Sequence, residues 1–326
     1  MTTTAAAVMT IAVTGGTGFV GRRVATQIRA AGHVAVVLGR VDDPGTAFAD
    51  CDAVGHCAGI NREIGSQTYP VVHVEYTRSV VAAAREAGVR RIVMLSFLRA
   101  GPDCGFGYHE SKWAAEELVR NSGLDWTILK AGVIHGRGDH MLDHLSRAFH
   151  TFPIFGLVGF RSRLVRPVAV DDVARVLIAA AIGDDRLSRR TFAVLGPEEL
   201  PLSAAIRRVA DVAGQRPWFI PLPIAMQRAV AGVAEAVMTI PLLSRAQVQI
   251  LAEGIVEPLP AADSLPVDLL PTTRFDDWSI RQGSPLPVDL GDGTCGGVGH
   301  DDRGAVRPRP CQRRSVGPGH RDRAHA

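Results

Sequence analysis

Two short runs hold residues with chemical potential at informative spacing. The first is Tyr108-His109-Glu110-Ser111-Lys112. Positions four apart share one face of a helix, so the Lys112 ammonium can stand beside the Tyr108 phenol. A free phenol has a pKa of about 10. A neighbouring cation favours the phenolate and would move Tyr108 towards general acid/base use. The chain has three Tyr and two Lys in 326 residues, so this pairing is not expected by chance. The second run is Thr14-Gly15-Gly16-Thr17-Gly18-Phe19-Val20-Gly21. It follows the apolar Ile11-Ala12-Val13 and opens an amphipathic stretch, the context that makes a glycine-rich turn informative. Gly15 permits the tight turn, Gly18 a close backbone approach to a pyrophosphate, and Gly21 close packing of helix on sheet. The helix N-terminus then offers free N–H groups and a positive dipole end to the anion.

The elements that must position these residues alternate between strand and helix. Strands are expected at 11–13, 33–38, 52–57, 92–95 and 126–129. Helices are expected at 19–31, 76–87 and 108–120, with Gly32 and Gly88 as stops. This alternation predicts an α/β, doubly wound (Rossmann) parallel sheet covered on both faces. Only nine residues separate Arg40 from Asp50. A crossover helix and a further strand need a dozen or so, so one βαβ unit reads as shortened, with a sheet strand absent. Beyond it, a helix at 173–182, a strand at 191–195 and a helix from a Ser203 cap to Gly214 are expected. An apolar stretch at 224–240 with a narrow polar stripe reads as the core helix of a small, mainly helical lobe; a membrane-surface helix is the alternative. The domains are read as 1–165 for nucleotide binding, 166–290 for the lobe with part of the sheet interleaved, and 291–326 as a disordered tail. The tail holds eight Gly and seven Arg but no Leu, Ile, Phe, Met, Trp or Tyr.

Composition narrows the function classes. Net charge is +3, and the seven Arg and four Asp of 291–326 account for all of it. The rest is neutral overall, which argues against a phosphate-gripping nucleic-acid binder. The five Cys have no CxxC spacing, so a zinc ribbon or disulfide framework is not expected and a cytoplasmic, reducing setting fits. The first ten residues lack a secretory n-region, and no apolar run reaches the roughly 18 residues of a membrane span. His56, His109, His135 and His140 are scattered without ligand spacing, and no metal site is expected. Asp139 reads as a helix cap.

The TGxxGxxG spacing and the Tyr108/Lys112 pair resemble the short-chain dehydrogenase/reductase superfamily, in its extended and atypical branches. The resemblance covers about residues 8–285. It implies Tyr108 as the acid/base, Lys112 as its pKa tuner and ribose contact, and Ser96 as an orienting hydroxyl. It implies a dinucleotide held by Gly15, Gly16, Thr17, Gly18, Phe19, Val20 and Gly21, by the Cys57-Ala58-Gly59 turn, and by Lys130, Gly132 and Val133 of a loop similar to Arg-Pro-Gly-x-x-x-Gly. Arg40, ending the second strand, faces the adenosine ribose in this fold and leans the cofactor to NADP; Asp42 and Asp43 keep NAD open. Arg166-Pro167 through Ala174 resembles a substrate-lobe entry. Pro271-Thr272-Thr273-Arg274-Phe275-Asp276-Asp277 resembles the closing segment of proteins like the nucleotide-binding accessory subunit of respiratory complex I. The implied function is an NAD(P)-dependent oxidoreductase acting on a carbonyl/alcohol, sugar- or quinone-like small molecule. The alternatives are a dinucleotide-binding accessory protein without turnover and a nucleotide-sugar epimerase or dehydratase.

Overall fold

The computed structural model describes residues 7–39, 42–158, 163–223, 225–226 and 254–283. Arg40, nearly all of the 224–240 stretch and the 291–326 tail lie outside the described residues. The core is a seven-stranded parallel sheet in the order β2-β1-β3-β4-β5-β10-β13. Its strands are β1 (Thr10–Thr14), β2 (Val34–Leu38), β3 (Ala53–His56), β4 (Arg91–Phe97), β5 (Asp125–Ala131), β10 (Arg190–Val194) and β13 (Asp263–Ser264). Alternation along each strand serves both faces. Ile11, Val13, Val93, Leu129 and Phe192 pack with helices α1 (Phe19–Ala30) and α6 (Val170–Ile182) on one side. Ala12, Val54, Ile92, Met94 and Ile128 pack on the other, against α2 (Pro44–Ala47), α3 (Tyr76–Glu86) and α4 (Gly107–Arg120). Burial of both faces explains why these strands read as short continuous apolar runs.

The shortened unit is real. Among the described residues no strand lies outside β2. The chain leaves β2, makes the single turn of α2 and re-enters the sheet as β3 on the far side of β1. Pro44 opens α2 and the Asp43 carboxylate accepts from the Gly45 N–H, so the helix is fixed at its start and ends within four residues.

The remaining elements stand at the carboxyl end of the sheet. Helices α5 (His140–Thr151), α7 (Leu202–Val212) and α8 (Asp277–Gly283) pack on one another. Strand β7 (Ile154–Val158) pairs in parallel with β12 (Trp218–Leu222). Two-residue strands complete the set: β6 (Ile134–His135) beside β9 (Val168–Ala169), and β8 (Leu164–Val165) beside β11 (Leu200–Pro201). Two local readings are corrected. Strand β11 runs straight into α7, so Pro201 rather than Ser203 is the N-cap. Helix α6 begins three residues early, at Val170, and Asp172 in its first turn accepts the N–H groups of Thr272 and Thr273 and ties the closing segment down. Among the described residues no helix is long and apolar enough to cross a membrane.

Candidate functional site

The glycine-rich turn and the Cys57-Ala58-Gly59 turn meet at the switch point between β1 and β3, where strand order reverses and this fold places its ligands. The contact is close. Gly15 has φ +65°, and a Cβ there would stand 2.7 Å from Ala58 Cα. A Cβ on Gly21 would stand 2.3 Å from the Gly15 carbonyl oxygen. Gly18 is the N-cap of α1 and supplies no side-chain bond to the first turn, which leaves those N–H groups for a ligand. A backbone cradle closed to any side chain, at an uncapped helix N-terminus, fits a dinucleotide pyrophosphate. Thr17, Gly18, Phe19, Val20 and Gly21 line the cleft there. Gly16 does not; it packs beneath β2 against Val37.

The cleft is a single space of about 1040 Å³ running from this turn to α5 and α7. Tyr108, Lys112, Ser96, Cys57, Ala58, Gly59, Gly132 and Val133 line it as well. Helix α4 carries both Tyr108 and Lys112 on its buried side. Lys112 lies under the 57–59 turn: a Cβ on Gly59 would stand 2.7 Å from Nζ, so glycine leaves room for the ammonium. Burial lowers the Lys112 pKa to about 8, partly offset by the charge of Glu116. Tyr108 departs from expectation. Its ring sits among Tyr69, His73 and Phe97, with centroids 5.5, 5.6 and 5.2 Å away. Burial in this cage pushes the phenol above its usual value. Lys112 does not bring it down; the site holds Tyr108 protonated.

Two further residues differ from their expected roles. Lys130 is turned away from the cleft. Its Nζ donates to the carbonyls of Ala100 (2.7 Å) and Leu259 (2.8 Å) and pairs with buried Glu116 at 3.4 Å. It is an internal strut that ties β5 to the β4–α4 connection at Ala100 and to the 254–260 segment at Leu259. Ser96 borders the cleft, and its Oγ donates to Glu116 Oε1 at 2.6 Å. Glu116 also accepts from Arg120 at 2.7 Å. Lys112, Glu116 and Arg120 stand four apart on α4, and that ladder was the signal from which Glu116 could have been found.

His73 escaped the sequence reading entirely. It lies on a π-helical turn, Pro70–Glu75, that leads into α3; such turns recur at functional sites. The Ser111 hydroxyl donates to the Tyr108 carbonyl, so His73 Nδ1–H donates to Ser111 Oγ (2.9 Å), and Nε2 accepts from the Ile60 N–H (3.1 Å). Burial lowers the His73 pKa to about 2, which keeps this neutral tautomer. His56 acts similarly: it accepts from Thr14 Oγ1 (2.6 Å) and donates to Thr77 Oγ1 (2.9 Å), whose proton goes to the His73 carbonyl. The two imidazoles thus brace the β1 and β3 turns against the helix bearing Tyr108. Asp139 caps α5 through Met141 N–H at 2.8 Å and lines the cleft. Its Oδ2 is buried without a hydrogen-bond partner among the described residues, and burial raises its pKa to about 7.

A glycine-lined switch point, a parallel doubly wound sheet and a Tyr/Lys helix beside them define a class of nucleotide-binding proteins. The chain belongs to the NAD(P)-binding Rossmann family; a family profile described as NAD(P)H-binding matches residues 26–184. Among curated relatives it is 28% identical over 241 residues to subunit 9 of the mitochondrial NADH dehydrogenase (ubiquinone) 1 alpha subcomplex of Mus musculus, covering 65% of this chain and 63% of that protein. It therefore spans less than two thirds of that relative. It is 31% identical over 225 residues to the (4-alkanoyl-5-oxo-2,5-dihydrofuran-3-yl)methyl phosphate reductase of Streptomyces griseus, covering 63% of this chain and 74% of the reductase. In fold it is similar to UDP-glucuronic acid 4-epimerase from Bacillus cereus in complex with UDP-glucuronic acid and NAD, with a TM-score of 0.61 at 15% identity, covering 84% of this chain and 97% of that one.

Proposed function

We propose that this protein is an NAD(P)-dependent oxidoreductase that works in the direction of carbonyl reduction. One observation carries the reading: Tyr108, Lys112 and the glycine-rich turn all open onto the same cleft. The bound dinucleotide supplies the hydride. Thr17 to Gly21 hold its pyrophosphate at the start of α1, and Cys57 to Gly59 with Gly132 and Val133 flank its nicotinamide side. Tyr108, kept protonated by burial, gives its phenolic proton to the carbonyl oxygen as charge develops there. Lys112 holds its positive charge below about pH 8 and stabilises that developing charge and the ribose hydroxyls. Ser96 orients the carbonyl once its hydroxyl rotates off Glu116. Among the described residues Cys51, Cys57 and Cys104 form no disulfide, and a cytoplasmic setting belongs to this reading.

The cofactor reading is NADP. Asp42 accepts from Gly39 N–H at 2.6 Å and Asp43 caps α2, so both nearby acids are engaged by backbone and Arg40 is the residue assigned to a 2′-phosphate. Arg40→Ala should then weaken NADPH binding by roughly 1.5–3 kcal/mol and leave NADH nearly unchanged. Equal loss for both in calorimetry would remove the preference.

The main test is to purify the protein, identify retained dinucleotide by mass spectrometry and measure hydride exchange with candidate carbonyls. The absence of a strand outside β2 among the described residues and the similarity to a respiratory-chain subunit favour a second reading, a dinucleotide-binding accessory protein. Tight retention of dinucleotide with no hydride exchange would establish that reading. Turnover of a nucleotide sugar would instead point to an epimerase or dehydratase.

A further inference from the structure

The cleft has two chemically different halves. The half beside α1 is lined by the backbone of the glycine-rich and 57–59 turns with the side chains of Phe19, Arg22 and Tyr76 around it. The far half is walled by Leu145, Phe155, Leu202, Ile206, Leu222 and Ile255. Among the described residues lining the cleft, the only Arg and Lys are Arg22, on α1, and Lys112 at its floor. The helix N-terminus that faces the far half, that of α5, is already capped by Asp139. A nucleotide diphosphate needs cations or free N–H groups, and among the described residues the far half presents no Arg or Lys.

The apolar wall also continues out of the cleft. Successive side chains of a strand alternate between faces. Trp218, Ile220 and Leu222 of β12 therefore share one face, beside Ile154 and Gly156 of β7, with which β12 is in register (Trp218 with Ile154, Ile220 with Gly156). Phe155, which also lines the cleft, and Phe219 stand on the other face and pack with Phe149, so both faces of the pair meet the cleft at this end. Leu222 and Gly156 line the cleft. From there the same face runs outward for about 13 Å, and Trp218 (77%), Ile154 (57%) and Ile220 (42%) lie exposed along it. Exposed apolar side chains gathered beside a cleft are the kind of surface that ligands cover.

We propose that the far half of the cleft and the β7–β12 face bind an uncharged hydrocarbon chain, acyl or prenyl, with its carbonyl head at Tyr108 and its tail along Ile220 and Trp218. Only the placement of the head rests on the oxidoreductase reading; the chain site stands on the apolar wall and track.

The test uses the full chain and calorimetric titration with butanone, octanone and dodecanone, with UDP-glucose as competitor. Affinity should rise across the series by up to about four-fold per methylene, the equivalent of ~0.8 kcal/mol. UDP-glucose should neither bind nor compete. The double variant Trp218→Ser, Ile220→Ser should return dodecanone to the affinity of octanone; both side chains are exposed, so folding is not at stake. Affinity flat with chain length, or competition by UDP-glucose, would overturn the proposal. An unchanged dodecanone affinity in the double variant would overturn the track. Dodecanone that binds but is not reduced would refute the hydride-transfer reading and leave the chain site intact. Reduction of short polar carbonyls with no binding of dodecanone would do the reverse.

Discussion

The two halves of the cleft are built by opposite means. The half at the glycine-rich turn is made of backbone: its shape depends on atoms that are absent, the missing Cβ groups of Gly15 and Gly21. The far half is made of side chains from α5, β7, α7, β12 and residue 255. A backbone site tolerates almost no substitution and fixes one ligand shape. A side-chain site can be reshaped residue by residue. Such a division keeps one ligand constant while the other is free to differ between relatives.

The largest effect should come where the halves meet. Tyr108→Phe should lower turnover by about 10²–10⁴-fold and leave dinucleotide affinity nearly unchanged, measured by steady-state rates beside calorimetry. Wild-type turnover in this variant would show that Tyr108 is not the donor. The same assay gives a pH signature. With Tyr108 raised and Lys112 at about 8, the reductive rate should be level below pH 8 and fall above it as the ammonium is lost. Lys112→Met should abolish that fall.

Next in size is the backbone half. Gly21→Ala forces a methyl against the Gly15 carbonyl; overpacking of this kind costs about 1–3 kcal/mol, and the displaced turn should lower dinucleotide affinity by roughly 5- to 100-fold. Leu145→Ala, in the far half, should leave that affinity alone. Similar losses from both would erase the contrast between the halves.

A smaller effect concerns stability. Burial raises Asp139 from its ordinary value of 3.8 to about 7, so the folded state binds this proton more tightly than the unfolded chain. The resulting stabilisation is complete below about pH 4 and is lost as pH rises towards 7. Asp139→Asn keeps an oxygen for the Met141 N–H and carries no charge. It should flatten this part of the urea-midpoint profile and gain at most ~4 kcal/mol at pH 8. An unaltered profile would show that Asp139 is ionised in the fold. The smallest expected effect is none: a chain ending at Leu290 should melt with the full chain, since 291–326 lacks large apolar residues. A fall of several degrees would show that the tail docks.

What could be read from the sequence follows the same division. The turn after β1, the helical pairing of Tyr108 with Lys112 and the missing strand are local features, set by residues within a few positions of one another. His73 could not be read this way: its partners Ile60 and Ser111 are 13 and 38 residues away, and its meaning lies in a tautomer chosen by a third group. Lys130 misled because a cation at the end of β5 looks alike whether it faces a ligand or, as here, two carbonyls and Glu116. The β7–β12 pairing joins segments more than sixty residues apart, with no turn between them to announce it.

The order in which the sheet collects its strands bears on how the molecule forms. Five neighbours, β1 to β5, come from residues 10–131 through short returns, whereas β10 waits for residue 190 and β13 for residue 263. Closing long loops is entropically costly and slows folding. The dinucleotide turn can therefore assemble early, during synthesis, with the edge of β5 still bare. Arg190 reaches Asp263 at 2.8 Å only when the last strand docks. Refolding should thus have a fast phase that creates the nucleotide site and a slower one that closes the sheet, and between them β5 is the edge most exposed to mispairing.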